Sequence, residues 1–470
     1  MSRVVKIGII GAGSAQFSMD LVKDLCLTQG LRGSRVCFMD VDSDRLEIVR
    51  RLAVRYADEM GAKLDFDSTT VRDSCLQDAS FILNTAYAKG HDHEWKMREI
   101  GAGHGYYYDG AQLGDYYQLK LSLDIARQME SLCPDAWYVQ MANPVFNCTT
   151  LVSRETGLRT VGLCHGHHGV RNIARTIGLD PDRVAFQAPG FNHNIWLTHL
   201  AVDGDDAYPL LDQWIRTKAE AYWESHVPEN THDCGMSRAA VHLYRMYGLF
   251  PVGDTLRRVG GGPNVGCTVH RGEWWLHTDF DTKKRWFGEP WGGPDTVKAR
   301  RWFDRQLRDR IAEYAKLAAD SRARLAEALG EEKSEEQIIP IIDCLLNGKT
   351  GTFQVNVLNR GAVCGIPADV AVEVPAVVSG RGIQPIHVGA LPSKVLIECL
   401  LPHWVDMERN LLAFKTGDRS ILLWNVLDSH QTRSLEQAQA VLEELLAMPG
   451  HEEMARHFQY PADWPRPSDA

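Results

Sequence analysis

Cys164-His165-Gly166-His167, answered further along by Asn192-His193-Asn194, carries the side chains best suited to chemistry in this chain. A thiolate from Cys164 and an imidazole from His193 are both ligands for a divalent metal. Two protein ligands leave positions open for water and substrate oxygens, unlike a closed structural zinc site. Each residue also has a plainer use. A cysteine at a strand end is commonly a small buried apolar group, and a single histidine is commonly a hydrogen-bonded structural residue. Spacing alone leaves both readings open.

A second stretch, Gly11-Ala12-Gly13-Ser14, follows the apolar run 4–10 and precedes a segment of helical spacing. Glycines between a strand and a helix allow a tight turn and let backbone amides approach a pyrophosphate. Gln16 stands where the third glycine of the dinucleotide fingerprint is expected, so the turn alone is a weak signal. Asp40 strengthens it by closing the strand-like run 35–39, where a carboxylate can bind an adenosine ribose and repel a 2′-phosphate. The reading favours NAD over NADP. Gly11, Gly13, Ser14, Asp40 and Asn84 are its expected cofactor contacts. The competing reading is an ordinary strand–helix turn, with Asp40 capping a helix.

The elements that position these residues follow from periodicity. Runs 4–10, 35–39, 81–85, 137–141 and 160–163 read as buried strands, and 45–56 is an amphipathic helix with Leu46, Val49, Leu52 and Ala53 on one face. Strands alternating with helices predict an α/β fold, a Rossmann-like doubly wound parallel sheet with its ligands beyond the strands' carboxyl ends. Asn84, Asn143 and Cys164 all fall at such ends. Beyond about residue 195 the pattern becomes mixed. Helical segments are expected at 298–329, 338–346 and 435–448, strands near 353–355 and 370–378, and a loose tail at 461–470. The division expected is a nucleotide-binding domain over 1–195 and an α+β substrate-binding and oligomerisation domain over 196–470.

With 470 residues, 44% of them hydrophobic, the chain can bury a large core, and a formal net charge of −10 argues against a nucleic-acid partner. No apolar run reaches the length of a membrane helix, and the start of the chain has no secretory pattern. The 11 cysteines are scattered, as in a reduced cytoplasmic protein.

Taken together, the chain resembles glycoside hydrolase family four, the NAD- and divalent-metal-dependent glycosidases. The resemblance rests on residues 6–14, Asn143-Pro144, Cys164-His165-Gly166, Asn192-His193, Val355-Asn356-Val357, Asn359, Gly361, Pro367, Asp369 and Val372-Glu373-Val374-Pro375. It implies a lactate-dehydrogenase-like nucleotide domain, homodimers or homotetramers, and a small oligosaccharide as substrate. It also implies that NAD+ takes a hydride from sugar C3, a base removes the C2 proton, the glycosidic oxygen is eliminated, water adds and the hydride returns. Such enzymes are exceptions to the two-carboxylate scheme. Cys164 and His193 match the ligands of the metal, usually Mn2+. Asn143 matches a residue that binds sugar hydroxyls, and Asp115 a carboxylate near the site. Asp254 occupies a position matching the C2 base, with Tyr244 and Tyr247 as rivals. His165 sits where some relatives carry a leaving-group acid. Cys164-His165-Gly166 resembles the uronide-cleaving members, the α-galacturonidases and α-glucuronidases. Gly166 would leave room for a C6 carboxylate, and His167, Arg257, Arg258 and Arg271 are the candidate cations facing it. A neutral α-glucosidase or α-galactosidase, or a true NAD-dependent sugar dehydrogenase, are the alternatives.

Overall fold

Six parallel strands form the first half of the main sheet: β1 (Lys6–Ile10), β2 (Arg35–Met39), β3 (Asp65–Thr69), β4 (Phe81–Asn84), β5 (Trp137–Gln140) and β6 (Arg159–Gly162). The computed structural model describes residues 3–14, 17–106, 115–256, 280–293, 296–429 and 431–461. The strands lie in the order β3-β2-β1-β4-β5-β6, the doubly wound arrangement expected from their alternation with helices. Helices cover both faces, which is why β1, β2 and β4 read as unbroken apolar runs rather than alternating ones. The helix Ser43–Glu59 begins where Asp42 Oδ1 accepts from the amides of Asp44 and Arg45. Its Leu46, Val49, Leu52 and Ala53 are buried, as their spacing predicts.

The sheet does not end at β6. Through a single bridge, Gly162 with Asn356, it continues into β13 (Gly351–Leu358) and its hairpin partner β14 (Ala371–Ser379), which carries β15 (Gly382–Pro385). Past β14 come β8 (Gly190–Phe191), β9 (Asn194–Leu197) and β12 (Phe250–Val252), all antiparallel, to give twelve strands among the described residues. A small second sheet joins β11 (Asp205–Asp206), β10 (His199–Val202) and β7 (Val184–Gln187). The expected division at residue 195 therefore falls inside β9. One hydrophobic cluster runs from Ile7 and Phe38 through Val161 to Trp196 and Val374, across both halves.

The long helical segment expected over 298–329 is two elements, Val297–Ala319 and Leu325–Leu329. The helices Ile338–Asn347 and Leu435–Leu446 agree with expectation. Leu435–Leu446 packs with Leu401–Thr416, Arg419–Leu427 and Glu452–His457 around a separate cluster that includes Tyr106, Tyr116, Leu442 and Phe458. Among the described residues no helix is long and apolar enough to cross a membrane.

Candidate active site

The turn after β1 is held tightly. Gly11 has φ +87°, and a Cβ there would fall 2.5 Å from the Ala86 Cα at the end of β4, so only glycine fits. The Gly11 and Ala12 amides donate to the Met39 carbonyl, at 2.9 and 3.1 Å. Asp40, one residue beyond β2, accepts from the Gly13 amide at 2.7 Å and the Asp42 amide at 3.0 Å. Ser14 closes the turn by donating its amide to the Gly11 carbonyl. Gly11, Gly13, Ser14 and Asp40 are thus brought together at the carboxyl edge of the sheet, and the half-buried Asp40 carboxylate keeps lone pairs free for a further donor.

Asn84 does not join them. It is fully buried, and its amide donates to Tyr138 Oη at 2.9 Å and Gln140 Oε1 at 3.1 Å, beneath the turn. Its carbonyl is taken by the Met141 and Ala142 amides. Asn84, expected among the cofactor contacts, supports the strand ends from inside with its side chain.

Beyond β6 the chain presents Cys164, whose Sγ lies 3.2 Å from His193 Nε2. His193 sits in the tight β8–β9 turn at φ +62°, an uncommon conformation for a non-glycine residue that aims its ring toward Cys164. The same Nε2 lies 3.3 Å from Asp254 Oδ2. Asp254 follows β12, which pairs with β9 at Pro251 and Trp196, so the β8–β9–β12 meander delivers both side chains. His232 Nδ1 stands 3.8 Å from the other Asp254 oxygen.

Burial pushes the Cys164 thiol well above its ordinary range, and the charges of Glu373 and Asp254 push it further. Left alone, this thiol stays protonated and is no nucleophile. A divalent cation would reverse that balance and draw out the thiolate. The Cys164 sulfur and the His193 imidazole, in contact with each other, are a donor pair that fits such an ion. Buried Asn143 Oδ1 and Asn192 Oδ1, both without a hydrogen-bond partner, add unsatisfied polar capacity.

Glu373 is the residue that sequence reasoning placed only in a motif and gave no role. On β14 it is 1% exposed, and it accepts from Asn192 Nδ2 at 3.0 Å and Asn356 Nδ2 at 3.3 Å. Burial raises its carboxyl to about 7 despite these amides. The available signal was a carboxylate inside the apolar run of Val372-Glu373-Val374. Glu373 also explains Gly166. A Cβ there would collide with Glu373 Oε1 and lie 2.7 Å from Ile195 Cδ1. Gly166 therefore leaves room for the Glu373 carboxyl.

His167 is buried, with Nε2 3.0 Å from the Glu335 carbonyl and Nδ1 2.7 Å from Gln337 Nε2. Burial lowers its pKa to about 4, which keeps the ring neutral. His165 is exposed and pairs with Glu336 at 2.9 Å. Asp115 holds the N-cap position of the helix Tyr116–Leu132 without a side-chain capping bond, and its Oδ2 accepts from Asn147 Nδ2 on the helix Val145–Glu155. The tyrosine rivals turn elsewhere. Tyr247 packs edge-on against Trp196 and beneath Lys394, and Tyr244 donates to Asp212. Asp254, the first of the three candidates for the base, is in contact with His193. Arg257, Arg258 and Arg271 lie outside the described residues.

A doubly wound sheet with a glycine turn at one strand end and a thiol–imidazole–carboxylate convergence at another defines a nucleotide-fold protein with a metal-competent centre. The chain belongs to the family 4 glycosyl hydrolases: residues 6–179 match that family, and residues 188–430 match its C-terminal domain. It is 25% identical to an alpha-galactosidase of Bacillus subtilis over 83% of this chain and 85% of the relative. It is 23% identical to an alpha-galacturonidase of Thermoanaerobacterium saccharolyticum over 94% and 95%. Its fold is similar, with a TM-score of 0.75, to a 6-phospho-alpha-glucosidase from gut microorganisms solved in complex with NAD and Mn2+. That structure is 17% identical and covers 97% of this chain and 100% of its own.

Proposed function

We propose that this family 4 hydrolase cleaves α-glycosides of uronic acids, as an α-galacturonidase or α-glucuronidase, using NAD+ and a divalent ion such as Mn2+. The observation that carries the reading is the convergence of Cys164, His193 and Asp254 just past β6, on the sheet whose β1 turn is built for a dinucleotide. Gly11, Gly13, Ser14 and Asp40 would hold the dinucleotide; Cys164 and His193 would hold the ion. When bound, NAD+ would supply reversible oxidation at sugar C3, and the ion would supply Lewis-acid polarisation of the sugar oxygens. The Asp254 carboxylate, held at the His193 ring nitrogen, takes the C2 proton that such oxidation makes acidic. Asn143 orients sugar hydroxyls through its buried, unpartnered oxygen. Asp115, in contact with Asn147, is our candidate for a further carboxylate near the site. The cycle leaves no net redox change.

The uronide specificity rests on Cys164-His165-Gly166 and on relatives named for galacturonides. Arg258, four residues after Asp254, is our candidate for the C6 carboxylate, with Arg257, Arg271 and His167 as its rivals. An α-galactoside specificity is the second reading, favoured by the name of the Bacillus subtilis relative. A cytoplasmic homodimer or homotetramer completes the proposal.

The test is release of p-nitrophenol from α-glycosides of galacturonic acid, glucuronic acid, galactose and glucose. Each is run with NAD+, Mn2+ and a reductant, and again with each left out. Uronide hydrolysis that needs both NAD+ and metal, with no NADH accumulating, is expected. Turnover of neutral glycosides alone overturns the specificity, and NADH build-up without nitrophenol overturns the hydrolytic cycle.

A further inference from the structure

We infer that His165, His168 and Glu336 form a second divalent-cation site, separate from Cys164–His193, which takes an ion of the Zn2+ or Co2+ kind. The three side chains come from two places. His165 caps the helix Gly166–Ile177 and His168 lies in its first turn, while Glu336 comes from the segment before the helix Ile338–Asn347. Their ligand atoms all lie within 4.8 Å of one another. His165 Nε2 is 2.9 Å from Glu336 Oε1, and His168 Nε2 is 3.5 Å from the same oxygen. Ligands about 2.0–2.1 Å from a tetrahedral ion stand roughly 3.3 Å apart, so the two edges that meet at Glu336 are already near the required size. Two imidazoles and a carboxylate are a recurrent donor set for borderline divalent metals with open positions.

The surroundings hold the donors as a metal site requires. His168 Nδ1 faces Glu335 Oε2 at 3.5 Å, so a proton on Nδ1 leaves the Nε2 lone pair aimed at the cluster. Glu335 is itself fixed by Arg171, at 2.9 Å, and by Arg175. The Glu336 amide donates to Ser334 Oγ at 3.2 Å, and the Ser334 amide donates to Asp24 Oδ1 at 2.7 Å, which ties the segment to the helix Ser18–Leu27. The site opens to solvent on the His165 side, where Phe17 lies against the ring at 5.6 Å. Cys164 and His193 face each other and Asp254; His165 and His168 face Glu336. The two sets share no ligand.

The experiment strips the full-length protein with chelator, titrates it with Zn2+ or Co2+ under a reductant, and counts the ions that survive gel filtration. Wild-type protein is expected to keep two ions per chain. Cys164→Ser should keep one Co2+ ion and lose the near-ultraviolet thiolate charge-transfer band. Glu336→Gln and His168→Asn should each keep one ion and retain that band. Two variants are used because a melting curve can then separate lost binding from lost fold. One ion in the wild type and none in Cys164→Ser overturns the second site while leaving the first intact. Two ions in both Glu336→Gln and His168→Asn also overturns it, because the second ion then lies elsewhere.

Discussion

Cys164 and Glu373 lie in one polar pocket, and burial opposes ionisation of both. For Cys164 the consequence is dependence on a cation. Cys164→Ser is expected to weaken metal binding by about 100-fold or more and to abolish hydrolysis, while NAD+ binding, measured by fluorescence titration, stays near wild type. Wild-type rates in that variant at added metal would remove Cys164 from the metal. For Glu373 the consequence is a pH dependence. Its folded value of about 7 exceeds the ordinary 4.5, so the folded chain holds this proton more tightly than the unfolded one. The stability it contributes is full below the ordinary value and falls as pH rises through the folded one. At about 1.4 kcal/mol per unit the fall amounts to roughly 3 kcal/mol. Urea denaturation of the metal-free protein at pH 5 and pH 8 should show this loss, and Glu373→Gln should remove it. Equal slopes in the two proteins would mean that the carboxyl is already ionised. Residue types and motifs made Cys164, His193 and Asp254 visible in the sequence. Glu373 was not visible as part of the site, because its partner Asn192 is 181 residues away and only sheet pairing joins them.

At the level of elements, the strands legible in the sequence were those buried on both faces, where apolar runs of four or five residues leave a clear mark. Of the strands that escaped, β8, β11 and β12 have two or three residues, too short for a period to register, and β3 carries one apolar side chain, Phe66, in five residues. Those short strands are nevertheless what place His193 and Asp254. The helix Gly166–Ile177 shows the opposite limit. Its glycine was legible as a missing side chain, but the group filling the space was not, since Glu373 arrives from β14. Gly166→Ala should therefore cost about 1–3 kcal/mol by overpacking and displace the Asn192–Glu373 bond beside His193. A melting curve measured alongside metal affinity should show both losses together. An unchanged melting temperature would show that Glu373 yields without cost.

For the whole molecule, the nucleotide-binding half was legible through its alternating pattern, whereas the junction to the second half was not. The division expected near residue 195 falls within β9, close to where the matches to the family's two domains meet (6–179 and 188–430), and the main sheet runs through both. The junction itself is narrow: β6 and β13 share one bridged pair, Gly162 with Asn356, and the candidate metal ligands stand on opposite sides of it. Cys164 extends from the parallel side, and His193 and Glu373 belong to the antiparallel side. A line of few backbone bonds is where partial opening needs least free energy. Heat should therefore disarm this protein before it melts it. Amides of Gly162 and Asn356 are expected to exchange deuterium earlier than those at the centres of β1 or β14. Activity should then fade at a temperature where helical circular dichroism is still intact. Simultaneous loss of both signals would mean that packing across the seam outweighs its thin ladder. If the two losses separate, the protein's working temperature is set by the grip between its halves, and stitching that seam would extend its life without touching a catalytic group.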